Sequence, residues 1–117
     1  MTAISEYQAV SEKAFMQSVI ELARVTGWLC YHTHDSRRSQ AGFPDCVLVR
    51  GERLVCLELK TERGRLRPEQ KVWLAALAKT EAEVCLVRPS QWESLVELLS
   101  PRVLFMDNNP SYERWYE

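Results

Sequence analysis

The residues best suited to chemistry fall between Gly42 and Lys60. Gly42-Phe43-Pro44-Asp45 is followed by an apolar run, a turn at Gly51-Glu52, a second apolar run and then Glu58-Leu59-Lys60. Side chains alternate faces along a strand, so Glu58 and Lys60 project to one side while Leu59 turns to the other. A tight turn between the two runs predicts an antiparallel hairpin, which brings Asp45 at the start of one strand toward Glu58 and Lys60 near the end of the next. Burying three ionisable groups beside so much Val and Leu is costly unless something compensates. A divalent cation held by the two carboxylates would do so, and oxygen ligands suit the hard ions Mg2+ and Mn2+ better than the nearby thiols. Such an ion activates a water and offsets phosphate charge. Lys60 would then orient the water, act as its base or stabilise the developing charge, roles that the sequence alone leaves open.

The elements around this stretch can be read from periodicity. A first helix runs from Glu6 or Glu12 to Val25, since Ser5 with Gln8 and Ser11 ahead of Glu12 both offer capping chemistry. Phe15, Met16, Val19, Leu22 and Ala23 form its apolar stripe, and projecting that stripe one turn back reaches Glu12, which is expected to face inward. Glu21 shares the polar side with Lys13, Gln17 and Arg24 and is expected to be solvated. Gly27 ends the helix, and Trp28 to Thr33 reads as the first strand. His32 and His34 share a face if that strand continues. A zinc cluster lacks a fourth ligand at suitable spacing, so the imidazoles either lie near the site or on DNA, or serve structure alone.

Asp35 to Gly42, carrying Arg37 and Arg38, is a polar basic loop and a candidate clamp on substrate phosphates. Val47–Arg50 and Leu54–Leu59 are the second and third strands. After Lys60 comes a basic loop with Arg63, Arg65 and Arg67, and Pro68 then opens a second helix whose buried face holds Trp73, Leu74 and Leu77. Gln70 lies on that face at its start, either as a core hydrogen-bonder or as a partner of the site. Val84–Val87 is a fourth strand ending in Arg88-Pro89, with Arg88 a phosphate anchor or a structural pairing residue. Ser90 and Glu93 fit a capping box for a third helix with Trp92, Leu95, Val96 and Leu99 on its stripe. Val103–Met106 can add a last strand. Tyr112, Trp115 and Tyr116 suit packing against the domain or a second subunit better than base stacking.

At 117 residues and 46% hydrophobic content the chain fits one domain, with a core at about residues 11–100 and an aromatic tail from 101 to 117. No signal-peptide pattern or bilayer-length apolar run is visible, so a cytoplasmic protein, neither secreted nor membrane-bound, is expected. Cys30, Cys46, Cys56 and Cys85 stand singly without a C-x-x-C pair and read as buried free thiols. The net charge of −1 is uninformative, yet residues 37 to 71 hold nine Lys and Arg against five Asp and Glu. Two of those acids are the proposed ligands, so a bound cation would make the field more positive still, as a phosphate backbone requires.

The order of helix, strand, strand opening with Pro44-Asp45, strand ending Glu58-Leu59-Lys60, helix and strand resembles the PD-(D/E)-x-K nuclease core. More specifically, Ser11-Glu12-Lys13, Gly27-Trp28, Tyr31-His32-Thr33, Gly42-Phe43-Pro44-Asp45, Glu58-Leu59-Lys60, Pro68-Glu69-Gln70 with Trp73-Leu74, and Val87-Arg88-Pro89 resemble a stand-alone VRR-NUC domain. The resemblance spans about Ser11 to Leu99. It implies an α/β, restriction-endonuclease-like fold, a mixed central sheet flanked by helices in the order αβββαβαβ. It also implies Mg2+- or Mn2+-dependent cleavage of DNA. Asp45, Glu58 and the Leu59 carbonyl carry over as ligands, Lys60 as the catalytic lysine, Glu12 as the helix acid that completes the site directly or through water, and Gln70 as a supporting group. His32, Arg37, Arg38, Arg63, Arg65, Arg67 and Arg88 are the expected DNA contacts. Small members of phages and bacteria resemble homodimeric enzymes that cut branched DNA such as four-way (Holliday) junctions, and the domain also occurs in larger repair nucleases; no organic cofactor is implied.

Overall fold

In the computed structural model, residues 7–33 and 40–101 are described. Helix α1 (Glu12–Val25) leads into strand β1 (Leu29–His32), the hairpin β2 (Cys46–Arg50) and β3 (Arg53–Leu59), helix α2 (Pro68–Ala78), strand β4 (Glu83–Val87), a 3-10 turn (Pro89–Gln91) and helix α3 (Trp92–Leu99). The expected strand Val103–Met106, the aromatic tail, His34, Asp35, Arg37 and Arg38 lie outside the described residues, as does Ser5.

Ser11 starts α1: its hydroxyl accepts from Ala14 N at 3.1 Å, satisfying one of the free amides of the first turn. The far end closes with Gly27 at φ +89°, Trp28 N bonding Ala23 O at 2.9 Å and Gly27 N bonding Arg24 O at 3.1 Å, the paired bonds of a Schellman motif. The sheet has the order β1-β2-β3-β4, antiparallel through the first three strands and parallel between β3 and β4. The two-residue turn at Gly51-Glu52 fixes the hairpin register by pairing Arg50 with Arg53, which puts Cys46 opposite Leu57. The mixed α/β architecture is the one the sequence implies.

One sheet face carries Cys46, Leu48, Val55, Leu57 and Leu59, packed with Phe15, Val19 and Ala23 of α1 and Leu95, Leu98 and Leu99 of α3. The other face carries Cys56 and Val84 under Leu74 of α2, with Val47, Leu66 and Leu77 alongside. With a helix layer on each face, β3 is buried from Val55 to its end, as expected for a central strand. The four cysteines are free, three buried and Cys30 half-buried, as expected.

The third helix starts differently from expectation. The Ser90-Glu93 box is not its cap: Ser90 sits inside the 3-10 turn that Pro89 opens, its amide donates to Glu62 Oε2 at 3.1 Å, and Gln91 Oε1 instead accepts from Arg88 N at 2.9 Å. The longer Gln91 amide reaches the free N–H that precedes the proline.

Arg50 and Arg53, counted above in a basic patch, lie at the hairpin tip, at the other end of the strands from Asp45. Arg50 donates to Thr26 O and Leu99 O at 2.7 and 2.6 Å, while Arg53 pairs with Glu83 at 2.7 and 2.8 Å and donates to Leu98 O at 3.1 Å. Both guanidiniums lie over Trp28, at 4.4 and 5.0 Å from a ring centre, and Trp28 Nε1 donates to Leu99 O at 2.8 Å. Their charge serves the carbonyl-rich end of α3.

Candidate active site

Extending the β2–β3 register by one rung sets Asp45 opposite Glu58 on the α2 face of the sheet. On the other side of Asp45, its carbonyl accepts from Thr33 N at 3.2 Å. The Asp45 carboxylate has a backbone duty too: Oδ2 accepts from Leu59 N at 2.7 Å, tying the end of β3 to the start of β2. Lys60, just past β3, is fastened to β4 by its amide, which donates to Val87 O at 3.0 Å.

Glu58 is the unusual member. It is 1% exposed and Lys60 8%, the two buried charged residues among those described, with Lys60 Nζ 3.8 Å from Glu58 Oε2. Glu58 Oε2 also accepts from Gln70 Nε2 at 3.1 Å, whereas Oε1 is sealed from solvent with no donor group in reach. Burial pushes the Glu58 pKa up from 4.5 to about 9, helped by the neighbouring Asp45 carboxylate through its charge and through a side-chain hydrogen bond that the protonated carboxyl makes to it; Lys60 pulls against them, and Glu12 adds a smaller push upward. Without further positive charge, this carboxyl keeps its proton at neutral pH.

Gln70 is fixed from both sides. As the third residue of α2 its Oε1 accepts from Arg67 N at 2.8 Å, so its amide nitrogen must face Glu58. Gly42, at φ +94°, brings the loop before Asp45 against the same turn: a Cβ there would collide with the Glu69 carbonyl and come within 3.0 Å of Gln70 N. Phe43 completes the contact, meeting the Trp73 ring edge-on at 5.1 Å.

A cavity of about 370 Å³ opens onto this centre, lined by Glu12, Lys13, Phe15, Met16, Thr33, Asp45, Leu59 and Lys60. Glu12 was expected to face inward; it is exposed, though it lines the same cavity as Asp45, because the α1 core stripe ends at Phe15 one turn deeper. Lys13, assigned by periodicity to the polar side of α1, shares that mouth. Among the described residues no group of three or more His, Cys, Asp or Glu side chains is gathered to hold a metal ion. The available donors are Asp45 and Glu58, both hard oxygen ligands, and the buried Glu58 Oε1, which no donor group reaches, is the group a cation would satisfy.

The remaining expected contacts fall in different places. His32 ends β1, half-buried, and Arg63, Arg65 and Arg67 are exposed on the loop after Lys60. Arg63 reaches Gln8, whose amide oxygen accepts from Nε and Nη2 at 3.1 and 3.0 Å when turned toward the guanidinium. Arg88 turns inward, its Nη1 donating to Thr61 O, Gly64 O and Glu62 O at 2.8, 2.7 and 3.3 Å. Nothing in the strand pattern ending at Arg88 signals that inward turn; the Gly in the facing loop is the nearest hint.

The chain matches the VRR-NUC domain model over residues 4–89, a span that contains every site residue named here. No curated protein and no solved structure matches it. With an acid-acid-lysine centre at the end of a mixed sheet, Glu58 and Lys60 buried and Asp45 half-buried, inside that matched span, the chain belongs to the VRR-NUC domain family, with the nuclease-type, DNA-processing function the domain implies.

Proposed function

We propose that the protein is a metal-dependent, structure-selective DNA endonuclease that hydrolyses phosphodiester bonds at branched DNA such as four-way junctions. The observation that carries the reading is the buried Glu58 carboxyl, held beside Asp45 and Lys60 with one oxygen that no donor group reaches, so that only a shared proton or a cation can bring the two acids together. A protein does not keep such a group for stability, because an uncompensated buried acid opposes folding. It suits a centre completed by a cation.

Asp45 and Glu58 would hold Mg2+ or Mn2+, with the Leu59 carbonyl as a further oxygen donor. When bound, the ion supplies Lewis-acid polarisation of the phosphate and renders a water acidic enough to attack. Lys60, withdrawn from solvent beside Glu58, would orient the attacking water, act as its base or offset charge on the phosphate. Glu12, which lines the same cavity as Asp45 and Lys60, would hold a metal-bound water or a second ion. Gln70 keeps Glu58 in its rotamer. Exposed Arg65 and Arg67, on the loop after Lys60, would meet the phosphates flanking the cut.

The reading includes a homodimer in the cytoplasm of a bacterial or phage-infected cell. Its support is a set of exposed apolar side chains on one sheet face, Leu29, Tyr31, Val49 and Leu54, with Leu29 opposite Val49 and Val49 opposite Leu54.

The test is digestion of labelled four-way junction, flap and linear duplex DNA with Mg2+, Mn2+ or chelator, alongside a solution mass measurement. Metal-dependent cutting of the junction in preference to the duplex is expected, and it should vanish in Asp45→Asn. Equal cutting by that variant rules the site out, preference for flaps, ends or linear duplex moves the substrate class, and binding without cutting leaves a silent DNA-binding module.

A further inference from the structure

Parallel pairing of β3 with β4 sets Leu59 beside Val87, so the chain leaving the site at Lys60 and the chain leaving β4 at Arg88 run next to each other. Here the Arg88 guanidinium meets the Thr61–Gly64 loop. A single nitrogen, Nη1, donates to the carbonyls of Thr61 and Gly64 at 2.8 and 2.7 Å and to that of Glu62 at 3.3 Å. Carbonyl oxygens aimed at one point repel each other, and a cation at that point is what makes the loop shape favourable. A second tie comes from Glu62, whose carboxylate accepts from Ser90 N at 3.1 Å and is thereby turned toward β4. The loop is tight as well: Gly64 N donates to Thr61 O at 3.1 Å, and a Cβ at Gly64 would lie 3.1 Å from Thr61 Oγ1 and 3.4 Å from Lys60 Cδ.

We infer that Arg88 is a positioning residue that organises the loop after Lys60, so that Arg63 and Arg65 face the DNA backbone while Glu62 is turned toward Ser90. This rests on the proposed nuclease reading and, of the two tasks expected of Arg88, gives it structural pairing, with a function attached, in place of a phosphate contact. Its Nη1 is committed to backbone carbonyls, and the charge left to meet phosphates belongs to its exposed neighbours, Arg65 and Arg63, the latter also bonded to Gln8.

The experiment combines binding and hydrogen exchange on the full chain. Junction DNA affinity is measured in chelator across a salt series for Arg88→Met, Arg88→Lys and Arg63→Ala/Arg65→Ala, and for the latter combined with Arg88→Met. Positioning predicts roughly tenfold weaker binding for Arg88→Met, a shallower salt dependence, faster exchange at Gly64, and an unchanged Mn2+-induced rise in melting temperature. In the Arg63→Ala/Arg65→Ala background, Arg88→Met should change affinity by less than about twofold. Arg88→Lys keeps the charge on a shorter stem, and should lose exchange protection and affinity together; it also carries the test if the Met variant fails to fold. The inference is overturned if Arg88→Met weakens binding equally in both backgrounds, or if Arg88→Lys keeps full affinity with a loosened loop, since either marks a direct phosphate contact. Should the wild type bind the junction but never cut it with metal, the nuclease reading fails while the loop assignment stands.

Discussion

Gln70 Nε2 donates to Glu58 Oε2 at 3.1 Å while Gln70 Oε1 accepts from Arg67 N at 2.8 Å, so one amide caps a helix and steadies a buried acid. Gln70→Ala removes both bonds. It should lower stability by about 1–3 kcal/mol and slow cleavage by roughly 10- to 100-fold at limiting metal, with recovery as metal is raised. Gln70→Glu keeps the acceptor for Arg67 N and turns a second carboxylate on Glu58, so it should be the more damaging change at neutral pH. Urea midpoints and metal titrations of the rate separate the two effects.

The raised Glu58 pKa has a definite sign in stability. Between about 4.5 and about 9 the folded, metal-free protein holds a proton that the unfolded chain releases, so stability from this group is present at low pH and is lost as pH rises through that window, with a limiting slope of about 1.4 kcal/mol per pH unit for one proton. Glu58→Gln removes the ionisation while keeping the shape. In chelator the variant should match wild type near pH 5 and melt higher near pH 8, and it should not cut DNA. Mn2+ should raise the wild-type melting temperature more at pH 8 than at pH 5, and leave the variant unchanged. Parallel pH dependences for the two proteins would refute the assignment.

The convergence of Asp45, Glu58 and Lys60 was legible because it needs only strand alternation and a two-residue turn, and both are local. Other features depend on where the chain goes next. Arg50 and Arg53 are near the site in sequence but far from it in the fold, because the turn that aligns Asp45 with Glu58 carries the hairpin tip to the other end of the sheet. Projecting the α1 stripe back to Glu12 predicts an inward side chain, yet Glu12 is exposed, because a helical stripe does not reveal where the core beneath it stops. Arg88 lies outside any periodic pattern, and only the parallel β3–β4 pairing brings the loop carbonyls to it.

Asp45 has two separable duties, and two substitutions should separate them. Asp45→Ala leaves Leu59 N without the acceptor it has at 2.7 Å, which should cost about 1–3 kcal/mol. Asp45→Asn retains an oxygen for that amide and should fold with near wild-type stability. Both should lose cleavage, since neither can bind a cation as a carboxylate does. Thermal melts with single-turnover cleavage assays check this; a fully active Asp45→Asn would refute the ligand role.

Gly42 is where the Asp45 loop and the first turn of α2 touch, so it governs the distance between the site's two halves. Its φ of +94° disfavours any side chain, and a Cβ would strike the Glu69 carbonyl. Gly42→Ala therefore has no relaxed solution on the existing backbone. The loop must withdraw from α2, costing roughly 2 kcal/mol or more, and Asp45 must move away from the Gln70–Glu58 pair. Cleavage should fall further than stability alone accounts for, with a deficit that persists at a temperature and metal concentration where the variant is fully folded. Ala at Gly51, also at positive φ but with nothing within 4 Å of a Cβ, is the matched control: it should lower stability by about 1 kcal/mol and leave the rate per folded molecule unchanged. Equal rates for the two variants would mean that the Gly42 contact does not set the spacing of the site.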